Sequence, residues 1–97
     1  MTDSTLTLCR GNLPPKSRDA AGRALAARFS GWTRTSGEGA WVAPDGTLIV
    51  EPMDIWEVAT PVPEVFSALI VRLGRDAGEH SVYLVIDGVP SLIATGA

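Results

Sequence analysis

The sequence predicts an α+β fold: a ferredoxin-like β-α-β-β-α-β two-layer sandwich, with an antiparallel sheet, both helices on one face and a C-terminal β-hairpin strand. Three observations predict it. Residues 31–58 hold all three tryptophans, and two β-rich runs there flank the turn Ala43-Pro44-Asp45-Gly46, which reads as a long hairpin. Val62, Val65, Phe66, Leu69, Ile70 and Leu73 recur at helical spacing and form one apolar stripe. Asp87-Gly88, set between β-branched runs, is a second hairpin turn. At 97 residues the chain is expected to be a single domain, 1–97, that buries one core without disulfide or metal.

The elements follow in order. Residues 4–10 alternate with period two and read as a short strand, which Gly11-Asn12-Leu13-Pro14-Pro15 is expected to end. Residues 16–29 read as a helix, with Ser17 as N-cap and Ala21, Gly22, Leu25, Ala26 and Phe29 on the packed side. The first hairpin strand spans about Trp32 to Val42, with a bulge or bend expected at Ser36-Gly37-Glu38-Gly39. The second spans about Thr47 to Val58, with a break in pairing expected at Pro52. Thr60 is the expected N-cap of the second helix and Pro61 its first residue; Gly74 and Gly78 are expected to end it. Ser81 to Ile86 has apolar residues on both parities, as for a strand covered on both faces, and Val89 to Ala94 reads as an edge strand because of Pro90.

Composition narrows the function classes. No apolar run is long enough for a membrane span, and the N-terminus lacks the basic and apolar regions of a signal peptide. The lone Cys9 excludes an internal disulfide, so the expected location is cytoplasmic. Charge is uneven: residues 1–37 hold six Lys or Arg against two Asp, net +4, and residues 38–97 hold two Arg against nine acids, net −7. Side-by-side packing of the two segments would neutralise them. Nucleic acid is not the expected partner, because Lys16, Arg18, Arg23 and Arg28 have no aromatic interleaving in an acidic chain. One Cys and one His far apart make no zinc site, and neither a metal nor a cofactor is expected. Gly37-Glu38-Gly39 lacks the strand-to-helix setting and lysine of a phosphate loop.

Several short patterns carry a resemblance: Leu6-x-Leu8-x-Arg10, Arg28-Phe29-x-x-Trp32-Thr33, Gly39-x-Trp41 and Asp45-Gly46-x-Leu48-x-x-Glu51-Pro52. Over residues 6–58 the chain resembles a family of small bacterial proteins of unknown function with a ferredoxin-like fold. The resemblance implies a fold and no established activity.

The candidate binding residues are Arg10, Arg34, Glu38, Trp41, Glu51, Asp54, Trp56 and Glu57. Arg10 and Glu51 are expected to pair across the first and third strands. Trp32, Trp41 and Trp56 are expected to divide between core and interface. A Cys9–His80 nucleophilic pair would require the first and fourth strands to bring the two together. Without a catalytic motif, the expected function is a small non-enzymatic protein-binding module. Its size and charge suit an anti-CRISPR-like inhibitor acting by surface occupation, with a protein or a second copy of itself as partner. The alternative is a dimeric small-molecule binder or enzyme with a pocket between sheet and helices, walled by Trp41, Trp56, Arg10, Glu51 and His80.

Overall fold

The computed structural model describes residues 5–97; the expected start of the first strand at Ser4 lies outside them. The chain runs β1 (Thr7–Leu13), α1 (Arg18–Phe29), β2 (Thr33–Val42), β3 (Leu48–Thr60), α2 (Pro63–Asp76), β4 (Ser81–Ile86) and β5 (Val89–Ala94), with a 3-10 turn at Pro15–Ser17. The class is α+β. The sheet is antiparallel throughout and has five strands in the order β2-β3-β1-β4-β5, because β5 pairs along the whole of β4.

β1 spans Thr7–Leu13, three residues later than the expected 4–10. Gly11, Asn12 and Leu13 continue the strand, and Cys9, Gly11 and Leu13 face the core. Alternation alone cannot choose the face of a strand. The choice is made by Gly11, whose bare Cα lets Ile70 of α2 close on it: a Cβ there would stand 2.9 Å from Ile70 Cγ1. Leu8 and Arg10 therefore turn to the opposite, uncovered side.

The long hairpin closes as expected. Gly46 N–H donates to Ala43 O at 2.9 Å, Gly46 adopts φ 88°, and the Asp45 carboxylate accepts from Thr47 N–H. Its ladder is unbroken from Thr33↔Glu57 to Val42↔Leu48, so neither the bend at Gly37–Gly39 nor the break at Pro52 occurs. Pro52 lies where β3 has only β2 beside it, since β1 pairs with residues 54–60 alone, so a missing donor is tolerated. Gly37 and Gly39 lie beside the Ile55 and Met53 side chains at ordinary contact distance.

α2 starts at Pro63, two residues later than expected, and the Thr60 hydroxyl accepts from Val62 N–H at 3.2 Å. Phe66, Leu69, Ile70 and Leu73 are buried, as the stripe predicts. Gly74 does not end the helix. It is a buried helical residue against Val82, and the chain turns out at Gly78, φ 82°. In α1 the packed side is Ala21 and Leu25 with Phe29 partly buried; Ala26 faces solvent, and Ser17 makes no side-chain cap. Both helices cover one face of the sheet. β4 is covered on that face only: Val82 and Leu84 are buried while Tyr83 is exposed.

Gly74→Ala gives a test of this packing. Helix propensity favours Ala by about 1 kcal/mol, but an added methyl in a filled core costs about 1–3 kcal/mol, and a Cβ here runs into Val82. Urea unfolding is expected to show a net loss of about 1 kcal/mol. A gain in stability would mean that α2 does not approach β4 this closely.

Candidate functional site

Two polar clusters occupy opposite faces of the sheet. The first lies on the helix side, at the edge of the core. Asp54 is 0% exposed on β3, in alternation with Trp56 and Val58. Arg18, at the start of α1, donates from Nε to Oδ2 and from Nη2 to Oδ1, both at 2.9 Å. Arg34 of β2 adds a third bond, Nη1 to Oδ1 at 3.3 Å, and also reaches the Ser36 hydroxyl. A fork-shaped guanidinium matches a carboxylate in this two-bond geometry. The Arg18 hydrogen bonds hold the Asp54 carboxyl below its ordinary value, against the opposing effect of burial. Beside the clamp, Trp32 and Trp56 meet edge to face at 4.8 Å. Trp32 donates its indole N–H to Gly22 O at 2.8 Å, whereas the buried Trp56 indole N–H has no partner.

The second cluster lies at the centre of the uncovered face. Arg10 on β1 donates from Nε to Glu57 Oε1 on β3 at 2.7 Å, in direct register. The expected partner, Glu51, is six residues away along β3 and instead accepts from the Trp41 indole at 3.1 Å. The pair remains half-solvated, with side chains 50% and 36% exposed. An exposed pair of this kind contributes at most about 1 kcal/mol to stability. Around it the face is apolar: Leu8, Tyr83 and Leu92 are exposed, and Ile55 and Val85 are half-buried. A joined positive and negative group on an apolar floor complements a small zwitterion that carries an aromatic or apolar part.

Of the other expected residues, Glu38, Trp41 and Glu51 lie apart from both clusters. Trp56 is core, at 1% exposure, while Trp41 is half exposed on the hairpin beyond β1, as is Glu38. The walls assigned to a sheet–helix pocket do not meet, and core side chains fill that space. Cys9 is buried and bonds to Thr7 O, and burial pushes its thiol up. His80 meets Ala97 O beyond the other end of β4, so the two form no pair. Arg18 was the clamp residue that the charge pattern did not single out. The available signal was parity: Asp54 alternates with Trp56 and Val58, and a carboxylate on a core-facing position requires a cation. Cross-segment pairs from Arg10, Arg18 and Arg34 to acids of β3 account for much of the charge asymmetry.

No family model and no curated protein matches the chain. Among solved structures the chain is similar to a phage SAM lyase in complex with S-methyl-5′-thioadenosine, with TM-score 0.69 and 13% identity over 97% of this chain and 93% of that one. It is also similar to a phage SAM lyase in the apo state, with TM-score 0.66, 16% identity and the same coverage. The likeness corrects the expectation of a non-enzymatic module acting by surface occupation, because the end-to-end fold it shares is that of a lyase. The small bacterial family of unknown function finds no support from a family model.

Asp54 ties stability to pH on the acid side. The unfolded carboxyl titrates at about 3.9, and the folded one is held lower. The folded form therefore binds fewer protons in that window. The contribution is complete above about pH 4 and is lost as pH falls through the lower folded value. Asp54→Asn is expected to cost about 3 kcal/mol at neutral pH, at the low end for a broken buried pair because both arginines keep solvent contact. It should also flatten the stability profile on the acid side, measured by urea unfolding from pH 7 downward.

Proposed function

We propose that this chain is a lyase acting on S-adenosylmethionine or a close S-adenosyl sulfonium, and that it binds the substrate on the uncovered sheet face around Arg10 and Glu57. The observation that carries the reading is the correspondence of fold over nearly the whole of both chains with the lyase that binds S-methyl-5′-thioadenosine. The ferredoxin-like description is supported alongside it by β1 lying between β3 and β4, with β5 an addition. A cytoplasmic location suits the single buried thiol.

The chemistry of the face supports the reading. The amino-acid end of the substrate is a zwitterion. Arg10 binds its carboxylate and Glu57 its ammonium, so one exposed ion pair is exchanged for two charge-assisted contacts. Tyr83 and Leu8 offer apolar surface to the adenine. Cleavage without water breaks the bond from sulfur to Cγ of the amino-acid chain. The electron pair goes to sulfur, which leaves as the neutral thioether S-methyl-5′-thioadenosine. The substrate's own carboxylate oxygen supplies the new pair to Cγ and closes a five-membered lactone, so no proton moves and no general base is required. What the protein contributes is conformation: one carboxylate oxygen held by Arg10 leaves the other folded back toward Cγ.

The test is chromatographic. Incubation with S-adenosylmethionine is expected to release S-methyl-5′-thioadenosine, with the lactone as the second product. Arg10→Ala and Glu57→Gln should each lower kcat/KM at least about tenfold, with the Tm within about 2 °C of wild type because the pair is exposed. Folded wild-type protein that neither turns over nor binds the sulfonium would remove the reading. Full activity in both variants would move the site off this face.

A further inference from the structure

The outer half of the β2–β3 hairpin projects from the body. β1 pairs with β3 only from Asp54 to Thr60, so residues 37–42 and 48–53 form a two-stranded ribbon with no third strand. The molecule extends 56 × 26 × 24 Å, and its radius of gyration is 13.9 Å, against about 12.5 Å for a compact chain of this length. A lone two-stranded ribbon is marginal in water. This one is also apolar on a bare face. The cross-strand pairs Ala40↔Val50 and Val42↔Leu48 put four side chains together with Pro52, and Val42, Leu48 and Val50 are 66%, 62% and 52% exposed. The only charges from residue 37 to 53 are Glu38, Asp45 and Glu51, all negative.

A groove of complementary character runs along the outer side of the helix layer. It encloses about 610 Å³ between α1 and α2. Ala24, Ala27 and Ala68 make a shallow apolar floor, and Arg28, Arg72 and Arg75 rim it against the single acid Glu64. Among the described residues none of these three arginines has an ion-pair partner. The lengths agree: six ribbon residues span about 20 Å at about 3.4 Å each, and the 12 residues of α1 span about 18 Å at about 1.5 Å each.

We infer that the acidic, apolar β2–β3 arm of one copy of this chain seats in the arginine-rimmed α1–α2 groove of a second copy. The interface is head to tail, so it propagates into a closed ring or an open chain. It buries the apolar ribbon face on the alanine floor and brings Glu38, on that face, and Asp45, at the turn, to the arginine rim. The inference is independent of the lyase reading, since neither Arg10 nor Glu57 takes part.

Sedimentation velocity on wild-type protein at about 100 µM is expected to show an oligomer. Leu48→Asp in the arm, and separately Arg72→Glu with Arg75→Glu in the groove, should each give monomers with unchanged circular dichroism. Val42→Asp is a second arm variant should Leu48→Asp fail to fold; both positions are solvent-facing. Mixing an arm-defective with a groove-defective variant leaves one intact arm and one intact groove, so a 1:1 heterodimer should form. Three results would overturn the inference: a monomeric wild type, an oligomer that survives both kinds of variant, or folded variants that do not associate on mixing. In the second case the uncovered sheet face would be the contact.

Discussion

The carboxylate of Asp54 stands where three parts of the molecule meet. It lies on β3 at the last residue paired with β1, opposite Ser36 of β2, and under the first turn of α1 through Arg18. Burying it unpaired would cost several kcal/mol, so the fold that buries it must bring both arginines to it. That requirement fixes the approach of α1 to the sheet where α1 has little else. Its packed side is small, with Ala21 and Leu25 buried and Gly22 admitting Trp32 and Trp56. Beyond Asp54 the hairpin loses β1 and becomes an arm, so the clamp also anchors the base of that arm.

α2 is held differently, by close fit and not by charge. Gly11 and Gly74 remove side chains at two points where Ile70 and Val82 fill the space. The result is a buried layer of Cys9, Leu13, Trp56, Phe66, Ile70 and Leu84. Interiors packed this densely resist both cavities and added volume. Chemistry on this scaffold is therefore left to its surfaces, and the composition of the uncovered sheet face differs from that of the helix groove.

Much of this was legible in the residues. The stripe from Phe66 to Leu73 placed α2, Asp87-Gly88 placed the last hairpin, and Ala43–Gly46 placed the long one. The misreadings share a cause. Gly37, Gly39, Pro52 and Gly74 read locally as breaks, yet each is accommodated by what lies beside it: Ile55 and Met53 over the two strand glycines, an empty edge at Pro52, Val82 against Gly74. β1 was shifted because Leu6 and Leu8 satisfy the same alternation as Cys9, Gly11 and Leu13, and only the partner helix distinguishes them. The ion pair was assigned to Glu51 and not Glu57 because strand adjacency was legible and register was not. The acidic partner of Arg18 and Arg34 was within reach of parity, since Asp54, Trp56 and Val58 share a face.

A site needs a rigid frame and side chains that are free to exchange partners. Arg10 meets both conditions. Its backbone lies on the central strand, flanked by ladders on both sides, opposite Glu57 on β3 and Val85 on β4. Its guanidinium, by contrast, is half-exposed and tied to one half-exposed carboxylate. The Asp54 cluster has the reverse character: its carboxylate is sealed, held by three hydrogen bonds, and cannot be released without unpairing a buried charge. On energetic grounds the two clusters therefore divide the work. The one that would be costly to open maintains the fold, and the one that opens at little cost is suited to meeting a charged ligand.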